Sequence, residues 1–338
     1  MDIARNYSLK RLNTFGLEVR AKAYCEAASE TDVLDLAGSG EFTGENKFVL
    51  GGGSNILFTG DLDALCIHNR ITGISLEKED QDFAWIKCGG GEVWHYLVMY
   101  CVAHNYGGVE NLSLIPGSAG AAPIQNIGAY GVELKETFQD LDAIHLGTGE
   151  KKKFTLADCR FGYRDSIFKR ELKNQFIITA ITLKLTKHPQ FNTSYGAIEH
   201  ELKAMGVQEL SVGTVSQAVI NIRRSKLPDP AVIGNCGSFF KNPVVPEEKF
   251  LEIKKTDPGI VGYPASPGKI KLAAGWLIEK CGWKGKRVGN VGMHDKQALV
   301  LVNYGGATGT ELIEHARHVQ QNVKEKFGVL LEMEVNVL

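Results

Sequence analysis

No apolar run in this 338-residue sequence approaches the ~20 residues that a bilayer-spanning helix needs. Its first residues, Met1-Asp2-Ile3-Ala4-Arg5-Asn6, lack the basic-then-apolar layout of a secretory leader. Both absences lead to the expectation of a cytoplasmic protein with no membrane insertion. Neither sign of charge is in excess, since 38 Lys plus Arg stand against 39 Asp plus Glu. A chain so balanced has no global field to hold nucleic acid, and any anionic ligand must be met by local cations. Paired cysteines are missing as well. The seven cysteines (Cys25, Cys66, Cys88, Cys101, Cys159, Cys236, Cys281) are odd in number, scattered and without a C-x-x-C, which argues against a disulfide framework and a zinc ribbon. Reduced, mostly buried thiols are expected. There is no H-E-x-x-H, so no metal is expected, and His315 and His318 read as a solvated helix face. Internal repeats and low-complexity tracts are absent too.

Glycine is what the sequence does have, and it is clustered. Phe48-Val49-Leu50, a short apolar strand, leads into Gly51-Gly52-Gly53-Ser54-Asn55. Successive N–H groups in such a loop can form a nest for a phosphate. Further on, Ile115-Pro116-Gly117-Ser118-Ala119-Gly120-Ala121-Ala122-Pro123-Ile124-Gln125-Asn126-Ile127-Gly128-Ala129-Tyr130-Gly131 is poor core material. Clustered glycines are explained by backbone that turns sharply or lies directly against another surface. Either loop alone is equally consistent with a glycine-rich turn of an α+β enzyme. A third cluster, Gly89-Gly90-Gly91, follows a strand-like run at Phe83 to Cys88 and precedes a helix-like segment. It lacks the third glycine of a dinucleotide fingerprint, because Trp94 occupies that place, and it reads as a structural connection.

The first two loops together resemble those of the UDP-N-acetylenolpyruvoylglucosamine reductases, flavoenzymes of peptidoglycan precursor synthesis. In that family FAD lies between a GGGSN loop and an IPGS-x-G-x-x-P-x-QN-x-GAYG loop, and every fixed position of both patterns is present here. The resemblance runs from Asn13-Thr14-Phe15 to Val335 and includes the Tyr195 segment that marks one subclass. It implies an α+β chain with a vanillyl-alcohol-oxidase (PCMH-type) FAD-binding fold in two α/β subdomains, followed by a C-terminal α/β substrate-binding domain. The division expected is 1–70, joined by the strand 329–338, then 71–226, then 227–328, with a hinge at Leu227-Pro228-Asp229-Pro230. FAD would be held by Gly51, Gly52, Gly53, Ser54 and Asn55 and by Ile115, Pro116, Gly117, Ser118, Gly120, Gln125, Asn126, Gly128, Ala129, Tyr130 and Gly131. No histidine lies in the first loop, so the flavin is expected to be non-covalent. NADPH would be the co-substrate and a UDP-sugar the substrate of a monomeric enzyme.

The chemistry explains why such residues are wanted. Reducing a carbon–carbon double bond beside a carboxylate needs a hydride, a charge to stabilise the carboxylate as electron density reaches it, and a proton for the adjacent carbon. A flavin supplies the first. An arginine fork suits the second, and Arg164 in Tyr163-Arg164-Asp165-Ser166 is the candidate, against the plainer reading of an ion pair with Asp165. The family pattern implies Ser238 in Gly237-Ser238-Phe239-Phe240 as proton donor and Glu334 as the acidic partner. Ser238 on its own reads as a turn entering a strand, but a carbanion is basic enough for a hydroxyl to serve. For the UDP-sugar the pattern implies Tyr195, Lys226, Asn242 and Gln297. Two other functions stay open at this stage: an FAD-dependent alcohol or lactone oxidase of the same fold, and a catalytically silent UDP-sugar sensor.

Among local elements, Thr214 and Gln217 have capping-box spacing before a helix bearing Arg223, Arg224 and Lys226 at its end. A strand at Phe176 to Thr186 should bury one face. A helix with Leu312, Ala316, Val319, Val323 and Phe327 on one side should stop at Gly328. The final strand is expected from Val329 to Val337.

Overall fold

Alternating apolar positions build the sheets, and the computed structural model, which describes residues 2–39 and 46–338, shows which faces they cover. Contacts divide the chain into two compact units that interleave: Met1–Tyr7, Ala21–Gly53 and Asp63–Ser225 form one, and Ser8–Arg20, Ser54–Leu62 and Lys226–Leu338 form the other.

The first unit holds two sheets. One has the order Ala4–Ser8, Arg20–Ala27, Leu62–Asn69, Lys47–Leu50, the last two running parallel. The other is antiparallel, with the order Lys151–Thr155, Phe138–His145, Phe176–Thr186, Phe83–Gly89, Ile74–Glu79. Phe176–Thr186 has the expected bounds, but both its faces are buried over most of its length, Thr182 as well as Leu183. It is central in its sheet. Ile177 packs with Val33 and Leu36 of the helix Glu30–Gly38, whereas Ile178 and Ile181 pack with Trp94, Leu97 and Cys101 of the helix Trp94–Ala103. Leu112, Ala119 and Ala122 join that second cluster, which seats the long glycine loop on the sheet. The Gly89-Gly90-Gly91 turn is a backbone crossing. A Cβ on Gly91 would lie 2.6 Å from Asn69 O and from Ile71 N, and one on Gly120 would lie 2.9 Å from Gly90 Cα.

In the second unit, Gly234–Ser238, Val300–Asn303, Val291–Met293 and Arg287–Val288 form an antiparallel sheet in that order. Val244–Pro246, Lys269–Leu272 and Gly262–Pro264 form a smaller one. The amphipathic helix Gly309–Phe327 buries the expected face and ends at Gly328, whose φ of 66° is the left-handed cap glycine tolerates best. Its start is fixed by a capping box between Thr308 and Glu311.

Three local expectations need correction. The helix Val212–Lys226 begins before Thr214, because Ser211 Oγ accepts the Thr214 N–H at 3.0 Å and Thr214 Oγ1 accepts the Ser211 N–H at 2.8 Å. The final segment alternates in burial only from Val329 to Glu332, with Val337 exposed, and only Asn336–Val337 forms a strand, parallel to Ile56–Leu57. His318 is exposed, but His315 is 4% exposed and meets Trp283 edge-to-face, since it lies on the apolar side of its helix. Asp165 pairs with Arg170 at 3.2 Å.

Candidate active site

The two glycine loops meet in the first unit. A Cβ on Gly52 would lie 2.7 Å from Gly117 Cα, and one on Gly51 would overlap Ser118 Oγ, so only glycine permits this backbone-to-backbone approach. Gly117 and Gly131 have φ of 115° and 83°, and Asn126 and Tyr130 are also left-handed at 45° and 49°. Such strain in non-glycine residues persists only where surroundings enforce it. Asn126 shows how: its Nδ2 donates to Glu133 Oε2 and to Gly162 O, each at 3.0 Å, and its Oδ1 accepts the Lys135 N–H at 3.0 Å. The short hairpin Gly128–Ala129 with Val132–Glu133 follows. Ile115, Gln125 and Ala129 are partly buried around it.

Arg164 lies against that hairpin. Its Nη2 donates to Gly128 O, its guanidinium stacks 5.4 Å from the Tyr163 ring, and its own φ is 54°. A Cβ on Gly128 would sit 2.9 Å from the backbone Val132 O and 2.8 Å from Arg164 Nη1, so a side chain there would shift the hairpin and displace the guanidinium. Tyr195, 43% exposed, meets the Tyr130 ring edge-to-face at 5.5 Å. Asn192, three residues earlier, is tied to the same loop: its carbonyl accepts from Asn111 Nδ2 at 2.9 Å, and Asn111 Nδ2 also reaches Tyr130 O at 3.1 Å.

The second unit gathers Ser238, Glu334, Asn242 and Gln297. Gly234–Ser238 pairs with Val300–Asn303, but the register slips between Asn235 and Ser238. At the slip Gly237 has φ 72° and donates its N–H to Asn235 Oδ1 at 3.0 Å. Bulges of this kind re-aim a side chain, and Ser238 emerges exposed between buried Cys236 and Phe239. The next residues run beside the C-terminal segment, with Phe239 O accepting the Glu334 N–H at 2.9 Å and Phe240 bridging Met333. Glu334 is further held where its carbonyl accepts from Asn55 Nδ2 at 3.4 Å. Phe239 N–H donates to Leu299 O, and Leu299 N–H donates to Gln297 Oε1 at 3.3 Å. Asn242 Oδ1 takes the N–H of Ala274 at 3.0 Å at the start of the helix Ala274–Lys280. Burial and nearby Glu334 push the Cys236 thiol above its ordinary pKa, so it carries no thiolate chemistry. Arg164 and Tyr195 lie in the other unit, and Lys226 ends the helix Val212–Lys226 with its side chain exposed.

Several supports were not visible in the sequence. Asn13 Nδ2 holds Leu9 O and Leu17 O, while Thr14 O accepts the Asn235 N–H and Phe15 O accepts from Asn303 Nδ2. The Asn-Thr-Phe triplet is thus a brace for the strand that carries Ser238.

A family model described as the UDP-N-acetylenolpyruvoylglucosamine reductase C-terminal domain matches residues 229–338, and an FAD binding domain model matches residues 21–154. A protein named UDP-N-acetylenolpyruvoylglucosamine reductase from Flavobacterium johnsoniae is 50% identical over 339 residues, 100% of each chain. One of the same name from Amoebophilus asiaticus is 48% identical over 338 residues, again 100% of each. The chain belongs to the UDP-N-acetylenolpyruvoylglucosamine reductase family. The solved UDP-N-acetylenolpyruvylglucosamine reductase of Thermus caldophilus matches with a TM-score of 0.68 at 22% identity, over 99% of this chain and 98% of that one, a likeness of fold.

For a UDP-N-acetylenolpyruvoylglucosamine reductase the cofactor is FAD, and the first unit fits it on its own terms. Ser118 Oγ is buried without a hydrogen-bond partner, and a buried hydroxyl in that state is costly unless a ligand satisfies it. Among the described residues no group of three His, Cys, Asp or Glu could hold a metal ion, and no helix is long and apolar enough to cross a membrane.

Proposed function

We propose that this chain reduces the enolpyruvyl group of UDP-N-acetylglucosamine enolpyruvate to UDP-N-acetylmuramate, with NADPH as reductant and bound FAD between them, in peptidoglycan precursor synthesis. The observation that carries the reading is the match to reductases of that name along the entire chain. FAD, when bound, takes up a hydride from one substrate and delivers it to the other. Arg164, fixed on the flavin loop, pairs with the substrate carboxylate as negative charge spreads onto it. Ser238, turned outward by its bulge, gives a proton to the carbon beside that carboxylate, and Glu334 is the acidic group of the set. Lys226 neutralises the diphosphate, and Asn242, Gln297 and Tyr195 bind sugar, uracil or phosphate oxygens. The edge-to-face contact of Tyr195 with Tyr130 supports reading the chain as one of the subclass in which a loop covers the substrate. The same reading gives residues 1–70 with 329–338 and residues 71–226 to the flavin and 227–328 to the substrate, in a cytoplasmic monomer.

The test uses colour. Purified protein is expected to be yellow, to bleach with NADPH under anaerobic conditions and to regain colour on adding enolpyruvyl-UDP-N-acetylglucosamine. Recolouring by air alone, with no response to that substrate, supports the oxidase of the same fold. Ser238→Ala should leave bleaching at its wild-type rate and slow recolouring at least ~100-fold, the usual worth of a positioned acid. Equal loss in both steps means that the proton donor lies elsewhere.

A further inference from the structure

Arg223 was expected to serve the helix dipole at the end of Val212–Lys226, together with Arg224. Its contacts indicate another role. The side chain is partly exposed, and its Nε donates to Leu114 O at 3.3 Å. A second polar contact goes to the Tyr130 phenol. These two residues bracket the flavin loop, since Leu114 directly precedes Ile115 and Tyr130 is followed by the closing Gly131. Both are left-handed, with φ of 58° and 49°, which non-glycine residues adopt only when held. His95 secures the same corner, its Nδ1 accepting the Leu114 N–H at 3.0 Å.

The groups facing this guanidinium carry no negative charge. Burial lowers the pKa of His95, and Arg224 and Arg223 lower it further, so it is neutral near pH 7. Burial raises the Tyr130 phenol, with Arg223 partly opposing, so that group is neutral too. Burial also pulls Arg223 below its ordinary value, and no carboxylate among the described residues pairs with it. A guanidinium has five N–H donors, and the two contacts here are to uncharged oxygens. Withdrawing a cation from water, even in part, without a counter-charge is costly. A charge kept under those terms beside a ligand loop is suited to an anion that arrives from outside the chain.

We propose that Arg223 is the fixed cation of the flavin pocket: it receives an anionic group of bound FAD, either the diphosphate or the isoalloxazine ring once reduction has made it negative. Its contacts to Leu114 and Tyr130 set the two ends of the loop around that group. This rests on the assignment of the glycine loops to FAD.

The test compares Arg223→Lys, which keeps the charge, with Arg223→Gln, which keeps polarity alone. Two quantities are read on the purified holoprotein: FAD release on dilution, followed by recovered flavin fluorescence, and the reduction potential of the bound flavin, measured against a reference dye. Arg223→Gln should weaken one of them about tenfold or more, which for the two-electron potential is about 30 mV, while Arg223→Lys stays within about threefold of wild type. Faster release at unchanged potential identifies the diphosphate, which is charged in both redox states. A lowered potential at unchanged release of oxidised FAD identifies the ring. If Gln and Lys lose equally, the side chain acts through shape and the proposal fails; it fails also if Arg223→Gln changes neither quantity. Arg223→Met, which keeps the apolar stem, replaces Gln should that variant not fold. A wild-type protein that binds no FAD overturns the flavin assignment itself, and this proposal with it.

Discussion

Replacing Gly52 by alanine probes the seam between the two glycine loops. The added Cβ would lie 2.7 Å from Gly117 Cα, 3.2 Å from the Gly117 carbonyl carbon and 3.4 Å from Ser118 N. All three are backbone atoms, so no rotamer change relieves the overlap. The effect is steric rather than conformational, since Gly52 is not among the left-handed glycines. Overpacking against a fixed neighbour costs about 1–3 kcal/mol. If the loops stay shut, that cost appears in folding stability; if they part, it appears in FAD affinity, as a loss of roughly 5- to 150-fold. Thermal unfolding and FAD retention on dilution should therefore be measured on the same preparation, with Gly60→Ala as control, because a Cβ on Gly60 meets nothing within 4 Å. Gly52→Ala should be impaired in at least one assay and Gly60→Ala in neither. If both variants match wild type in both assays, the seam as described is wrong.

Two further outcomes follow from the second unit. Thr308→Ala removes the hydroxyl that accepts the Glu311 N–H at 3.2 Å and should lower unfolding stability by about 1 kcal/mol in urea titrations, whereas Thr308→Ser should restore most of it. Burial drops the pKa of His315 from 6.5 to about 4, with His318 and Lys286 adding to it. The unfolded chain therefore takes up this proton first, so stability is constant above pH 6.5 and falls between there and pH 4, by about 3 kcal/mol at most. His315→Phe, which can still pack on Trp283, should flatten that segment of the pH–stability curve; an unchanged slope means that other groups cause it.

What could be read in advance depended on how local its causes are. Gly309–Phe327 was legible because its apolar face recurs at helical spacing and its stop is the glycine next to it. Phe176–Thr186 was legible in its bounds but not in its second buried face, which depends on the helix Glu30–Gly38, far away in sequence. The candidate site was found from exact strings around Gly51, Gly117 and Ser238, and strings name residues without saying what they touch. Nothing near Ser238 announces the bulge that turns it outward, since that follows from the register against Val300–Asn303. The contact of Arg223 was not legible for the same reason: its partner carbonyl, on Leu114, is 109 residues away. The Ser211 cap was missed because Thr214 and Gln217 gave a plausible box one turn late.

The interleaving of the chain governs how it can be made. A ribosome releases Ser8–Arg20 and Ser54–Leu62 long before Lys226–Leu338 exists to receive them. Until then Phe15, which ends in an edge-to-face contact with Phe239, has no native neighbour from that part of the chain. Asn55 likewise waits 279 residues for Glu334. Contacts so distant in sequence slow folding and leave apolar segments open to misassembly. The backbone of the proposed site's carboxylate residue is therefore tied down by one of the last links the nascent polypeptide can form.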